Sequence, residues 1–376
     1  MIPLYDLRLD AEDIAAVVET LQSGWLTMGP RTAEFEEAFA AHLGCRHAVL
    51  LSSCTAALHL AYLGLGIGPG DEVIVPSYTF AATASAVLYC GGTPVFADVV
   101  GPHDLSIDPQ DVLAKITPRT RAVACVHFAG YAAPVEDLRA LCDEHGLALV
   151  EDAAHAPSAT AAGRSLGTWG AAGCFSFFSN KVLPSGEGGL LATDDDELAA
   201  RVRSLRSHAM TSVTWDRHRG HAETYDIVDV GFNYRLDEPR AALLLSQLRR
   251  LDDEVAARRR LTRRYRELLA GVEGVTVPYE DAGVDESSCY VMAVLVDDAS
   301  RRDAVRLALR ERHGIQTSLL YPAVHRFTAY RERFPGVSLP RTEDASAREV
   351  TLPLFRHLPD EDVERVVDAL RQELAA

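Results

Sequence analysis

Lysine is nearly missing from this chain. Of its 37 basic residues only Lys115 and Lys181 are lysine; the other 35 are arginine. Basic residues are also outnumbered, since 54 acidic residues leave a net charge of −17. That balance argues against nucleic acid as a partner, because binding phosphate backbones calls for a net basic surface. A local cluster of donors suffices for an anionic small molecule. Paired-cysteine signals are absent too. The seven cysteines (45, 54, 90, 125, 142, 174, 289) are odd in number, scattered and free of any C-x-x-C pair. They predict reduced core thiols in a cytoplasmic protein, not a disulfide framework. No metal-ligand spacing stands out. Residues 47–70 and 73–97 lack Asp, Glu, Lys and Arg, but Ser, Thr, Gly and Pro punctuate both, so buried strands and helices are expected there and no membrane span. The opening "MIPLYDLRLDAEDIAAVV" carries acids where a secretory signal carries basic residues, and predicts no such signal. No internal repeat or low-complexity segment is visible.

What is present reads as an α/β protein. With 376 residues the chain exceeds the size at which single cores stop growing, so two domains are expected. "HAVLLSS", "DEVIVPS", "TPVFADV", "RAVACVHFAG" and "LALVEDAAHA" are short apolar runs separated by helical patterns. Such alternation predicts a mostly parallel sheet covered by helices. "GCFSFFS" and "GGLLATDD" read as two more strands. From residue 237 the character changes. "DEPRAALLLSQLRRLDDEVAARRRLTRRYRELLAG" predicts one long amphipathic helix closed by Gly271. Beyond it a smaller α+β domain is expected. The division falls within the long helix near 237–270, giving domains of about 1–250 and 251–376.

The segment "CFSFFSNKVLPSGEGG", residues 174–189, sets one of the two lysines between the two later strands. A primary amine can lose its proton and condense with an aldehyde, which a guanidinium cannot do. Lys181 is therefore either a solvated surface residue, the reading given to Lys115 in "PQDVLAKITP", or a nucleophilic amine. Asp152 ends the strand of "LALVEDAAHA", 29 residues earlier. It is either a helix cap or a carboxylate at the strand end where ligands of open α/β sheets bind. Pyridoxal phosphate (PLP) needs this pair, a lysine for its aldehyde and a carboxylate for its ring nitrogen. Its phosphate needs a helix N-terminus, and "LLSSCTAALHL" supplies one with Ser52, Ser53, Cys54 and Thr55, although Ser-Ser-x-Thr alone is a good capping sequence. Phe80 in "PSYTFAATAS" is either core or a platform for a ring. Each signal alone is weak; their order and spacing together are specific.

With these segments, "SGWLTMGPRTAEFEEAFAAHLG", "EDAAHAPSA", "GFNYRLDEPRAALLLSQLRRLD" and "GIQTSLLYPAVH", the chain resembles over nearly its whole length the DegT-type (DegT/DnrJ/StrS) sugar aminotransferases. The resemblance implies an aspartate-aminotransferase-like fold (PLP fold type I), with a mostly parallel seven-stranded sheet in the large domain. It implies PLP as cofactor, cycling through pyridoxamine phosphate (PMP). On this resemblance Lys181 condenses with the cofactor aldehyde and then moves protons. Asp152 pairs with the ring nitrogen, His155 lies beside the ring and its phenolic oxygen, and Phe80 stacks on its face. Ser53, Cys54, Thr55 and Ser176 hold the phosphate. Asn233 reaches the phosphate of a neighbouring subunit, which implies a homodimer with shared sites. Two positions depart from the family pattern: Cys54 stands where glycine is usual, and Ser179-Asn180 precedes the lysine where Pro-Thr is common. Relatives with histidine at the lysine position dehydrate sugars; the lysine here argues for amination.

The resemblance also implies L-glutamate as amino donor and a nucleotide-linked keto sugar as acceptor. Histidine in the "DAAHA" slot favours a dTDP-4-keto-6-deoxyhexose; a 3-keto sugar or a keto-cyclitol is the alternative. Arg217 and Arg219 in "TWDRHRGHAETYD" are candidates for the substrate diphosphate, or else belong to a solvated loop, and Tyr321 is a further substrate candidate. His218 and His221 lack the Cys or carboxylate neighbours of a metal site. A non-catalytic PLP-binding regulator is the remote reading. It calls for an added basic DNA-binding module, which the sequence does not display.

Overall fold

Seven strands form one sheet in a computed structural model whose described residues are 1–212 and 224–376. They are His47–Leu51 (β1), Glu72–Pro76 (β2), Thr93–Ala97 (β3), Thr120–Val126 (β4), Ala148–Asp152 (β5), Ala172–Ser176 (β6) and Gly189–Thr193 (β7). Their spatial order is β1-β7-β6-β5-β4-β2-β3. Only β7 runs against its neighbours, β1 and β6; every other pair is parallel. The uncharged runs of the sequence are the reason. β1 and β2 are almost wholly buried, as strands covered on both faces must be. The cover comes from Pro30–Leu43 (α2), Cys54–Gly64 (α3), Ala82–Tyr89 (α4), Val135–His145 (α5) and Asp196–Arg206 (α6), with Ala11–Gln22 (α1) set against the helix that begins at Glu238.

Because β7 reverses direction, β1, β2, β4, β5 and β6 all end at one edge of the sheet. Ser52, Ser77, His127, Asp152 and Ser176 are thereby brought to the same edge, and the loop carrying Lys181 spans it between β6 and β7. Strand alternation then sorts two adjacent carboxylates. Asp152 faces the site, while Glu151 is fully buried and accepts from the backbone N–H of Gly167 and Gly170 (both 2.7 Å) and from His127 (3.0 Å).

The amphipathic run over 237–270 is two helices rather than one, Glu238–Leu248 (α7) and Leu251–Leu269 (α8). The cause is tertiary. Arg250, at the break, pairs with Asp13 (2.7 Å) and Asp10 (3.2 Å) at the start of α1, and Gln247 donates to the Pro184 carbonyl of the lysine loop. Just ahead, buried Glu238 accepts from the N–H groups of Gly29, Arg31 and Thr32 and from the Thr32 hydroxyl, at 2.7–2.9 Å. It thus supplies the partner that the N-terminus of α2 lacks. Downstream, Val275–Thr276, Met292–Val296 and Glu349–Leu352 form a three-stranded antiparallel sheet with the helices Arg302–Glu311 and Asp360–Ala375.

Candidate active site

The edge of the sheet gathers Lys181, Asp152, His155, Cys54 and Tyr321. Asp152 is 5% exposed. One of its carboxylate oxygens accepts from the Thr83 hydroxyl (2.8 Å), the other from the Ala154 N–H (3.2 Å), with the Cys54 thiol 3.9 Å away. Burial raises its pKa above the ordinary 3.8; the Thr83 hydroxyl and the Lys181 ammonium oppose that rise. Burial acts the other way on Lys181 and brings its amine down to about 8, against the attraction of Asp152. The amine lies 4.3 Å from the centre of the Tyr290 ring. Lys115, in contrast, forms an ion pair with Asp111 one helical turn away.

His155 has a defined tautomer. Its Nδ1 accepts from the Ala129 N–H (3.3 Å), so Nε2 carries the proton and donates to the Tyr321 hydroxyl (2.9 Å). Burial, with the nearby Lys181 and His127 charges, holds its pKa well below 6.5, so the ring is neutral. Phe80 is 62% exposed, its ring centre 6.1 Å from that of Tyr321.

At the end of β1, Ser53 caps α3 by accepting from the Ala56 N–H (3.1 Å). The buried Cys54 thiol turns to Asp152, and burial pushes its pKa well above 9.0. Cys54 therefore offers only its backbone to an anion at the helix terminus. The Ser52 and Thr55 hydroxyls have no hydrogen-bond partner among the described residues. Ser176 accepts from the Phe178 N–H (3.4 Å). The approach is tight: a Cβ on Gly189 would stand 2.1 Å from the Ser53 carbonyl carbon and 2.3 Å from the Cys54 nitrogen. The "GFNYR" segment passes alongside, with the Tyr234 carbonyl accepting from the Ser52 N–H (2.8 Å) and Asn233 exposed. Arg217 and Arg219 lie outside the described residues, as do His218 and His221.

A cleft of about 270 Å³ opens beside Lys181, lined by the N-terminal segment from Tyr5 to Asp10, the start of α8, Arg356 and His357. Arg250 is committed to Asp10 and Asp13 and Arg258 to Glu254, whereas Arg356 has no carboxylate or carbonyl partner among the described residues. Thr83, Tyr290 and Arg356 were not singled out by sequence reasoning. A Thr-x-x-x-Thr spacing (Thr79, Thr83) at the opening of α4 was the one available signal; Tyr290 and Arg356 carry none. Among the described residues no group of three His, Cys, Asp or Glu side chains is disposed to hold a metal, and no helix is long and apolar enough to cross a membrane.

The residues present fit PLP. An amine of depressed pKa stands near a buried carboxylate, and an eleven-residue helix presents its N-terminus with a free hydroxyl. The fold is that of PLP-dependent aminotransferases of fold type I. The chain belongs to the DegT/DnrJ/EryC1/StrS aminotransferase family, which it matches over residues 7–371. It is similar to the spore coat polysaccharide biosynthesis protein SpsC of Bacillus subtilis (strain 168), at 40% identity over 365 residues, covering 96% of this chain and 94% of that protein. The crystal structure of the aminotransferase TlmJ from Streptoalloteichus hindustanus is 38% identical with a TM-score of 0.92, covering 100% of this chain and 99% of that one. DesI, solved in the presence of its TDP-sugar product, is 37% identical with a TM-score of 0.86, covering 97% and 90%. Solved relatives carry the cofactor in its PLP and PMP forms. The chain is a PLP-dependent sugar aminotransferase.

Proposed function

We propose that the enzyme moves an amino group from L-glutamate to a nucleotide-linked keto sugar, a dTDP-4-keto-6-deoxyhexose. The observation that carries this reading is an amine with a pKa of about 8 beside a cleft holding an uncommitted guanidinium. When bound, PLP supplies a conjugated ring that takes up the electrons left on a carbon losing its proton. The chain's own residues do the rest. Asp152, buried and anionic, keeps a proton on the ring nitrogen, an interaction that low dielectric strengthens. The N-terminus of α3 and the Thr55 hydroxyl bind the phosphate. Lys181 removes the donor's α-proton and later returns a proton to the sugar carbon; a pKa near the working pH suits transfer in both directions. Neutral His155 and Tyr321 orient the ring's oxygen edge, Phe80 covers its face, and Ser176 completes the phosphate site.

Arg356 supports an anionic substrate, since a guanidinium is suited to paired oxygens; Arg217 and Arg219 are kept as candidates for the same diphosphate. His155 in its slot favours a 4-keto acceptor, and the TDP-sugar product of DesI supports the nucleotide. Seven free cysteines support a reducing, cytoplasmic setting. We assign residues 1–250 and 251–376 to a large and a small unit joined at the Arg249-Arg250 turn. A homodimer completes the site. Ile14, Val18 and Leu21 leave one face of α1 apolar and exposed, with Phe178 and Val230 (84%) also uncovered, and such surface on one protomer calls for a partner. Asn233 is then free to reach the neighbouring phosphate.

The test is one half-reaction. The enzyme is converted to its PMP form with L-glutamate, freed of excess donor and mixed with dTDP-4-keto-6-deoxyglucose. Return of the PLP absorbance with formation of an amino sugar is expected. Return only with a 3-keto sugar or a cyclitol ketone would replace the acceptor, and failure to form PMP from glutamate would replace the donor.

A further inference from the structure

We infer that Tyr290, on the C-terminal side of the chain, is a positioning residue for Lys181: its ring seats the lysine's ammonium and joins it to His155. The inference rests on the reading of Lys181 as the reacting amine.

The strap Ser287–Tyr290 is fastened to the edge of the sheet at several points. The Tyr290 N–H donates to the Ala129 carbonyl (2.8 Å), the Ser288 N–H to the Gly130 carbonyl (3.3 Å) and the Ser288 hydroxyl to the His155 carbonyl (2.5 Å). Gly130 is required for that approach, since a Cβ there would stand 2.3 Å from the Ser288 hydroxyl. From α8, Arg258 donates to the Tyr290 carbonyl (3.2 Å) and Arg259 to the Ser287 carbonyl (2.6 Å). Ala129 is the shared clamp: its N–H holds His155 and its carbonyl holds Tyr290. The result is a buried ring, 4% exposed, whose centre lies 4.2 Å from that of His155 and 4.3 Å from the Lys181 amine.

Burial disfavours the charged amine, and an aromatic face is one of the few neighbours able to favour it without bonding to it. A carboxylate in that place would hold the ammonium as a salt bridge, and an aliphatic side chain would offer it nothing. The other groups facing the amine are Asp152, which favours its charge, and the Cys54 thiol and His155, which are neutral. Across the cleft, Arg258 is offset by Glu254 and Arg356 stands free. A ring contact holds the amine in reach of the reacting carbon yet leaves it able to give up its proton, which suits a group used in both directions.

The chain's poverty in lysine provides the assay. The PMP-loaded enzyme, in which Lys181 is a free amine, is exposed to a trace of acetylating reagent at about pH 6.5, below the amine's pKa of about 8. Labelling of Lys181 is then read by mass spectrometry against Lys115 in the same molecule. Tyr290→Leu is expected to raise the Lys181-to-Lys115 labelling ratio about two- to fivefold, the effect of losing a cation–π contact of ~0.5–1 kcal/mol, and to lower kcat with KM for the sugar little changed. Tyr290→Phe keeps the ring and is expected to match the parent in both readouts. An unchanged ratio in Tyr290→Leu, or Tyr290→Phe behaving like the leucine variant, would overturn the inference. If Leu is not tolerated, Tyr290→Met is read by the same ratio. Borohydride reduction of the parent separates the two readings: a parent without a pyridoxyl group on Lys181 contradicts the lysine assignment itself, whatever the variants do.

Discussion

Thr83 is the residue on which the charge of Asp152 most depends. Its hydroxyl donates to one carboxylate oxygen at 2.8 Å and itself receives the Thr79 hydroxyl at 2.9 Å. Thr83→Val keeps the shape of the side chain and removes the donor. A hydrogen bond to an ionised group contributes about 1.5–3 kcal/mol, so its loss lifts the Asp152 pKa further. The sign is fixed by the chemistry. Burial already holds this carboxyl above its ordinary value, the hydrogen bond stabilises the anion, and the anion is the working form. The acid limb of the kcat/KM–pH profile therefore moves to higher pH in Thr83→Val, with the plateau less affected. Thr83→Ser retains the donor and restores the parent profile. The assay is steady-state amination across the acid range for the three proteins. Superimposable acid limbs for the parent and the valine variant, with rates within about twofold, would refute the assignment of Asp152 as an anion maintained by Thr83.

Three further outcomes follow from particular contacts. Gly189→Ala forces a methyl against the Ser53–Cys54 peptide, 2.1–2.3 Å from its atoms, and is expected to weaken PLP binding at least about tenfold, about 1.4 kcal/mol, in a cofactor titration. Glu238→Ala leaves three N–H groups at the start of α2 without their acceptor and is expected to cost at least about 3 kcal/mol, visible as a lowered Tm in thermal unfolding. Arg356→Ala is expected to raise KM for the nucleotide sugar about tenfold with kcat nearly unchanged, as removal of a binding contact that does not alter during the reaction should; an unchanged KM would remove Arg356 from the substrate site.

Much of the sheet and the lysine–aspartate pair was legible because the information is local. Apolar runs between turn residues mark strands, and the order of strand ends carrying Ser-Ser-Cys-Thr, Glu-Asp-Ala and the lysine loop is written along the chain. Asp152 is marked in the sequence by its position as the strand's last residue; Glu151, one residue earlier, is turned by the pleat to the Gly167 and Gly170 N–H groups. Residues that act across long sequence distances left no such trace. Nothing in "SQLRRLDDE" opposes helix, and the break at Arg249-Arg250 comes from carboxylates more than two hundred residues away. Tyr290 reads as the start of a buried strand; only the clamp at Ala129 and Gly130 turns its ring toward Lys181. Cys54 stands where the family has glycine, yet its thiol is absorbed by the Asp152 pocket, so the helix terminus it opens keeps its backbone donors.

Which amine the cofactor meets is the central question for this enzyme, and a chain with two lysines makes it a direct measurement. The PLP-loaded enzyme is reduced with borohydride, digested and mapped by mass spectrometry. A pyridoxyl group on the peptide bearing Lys181, with Lys115 unmodified, is the predicted result. Label on Lys115 or the N-terminal amine, or no label on Lys181 in an enzyme that still transaminates, would contradict it.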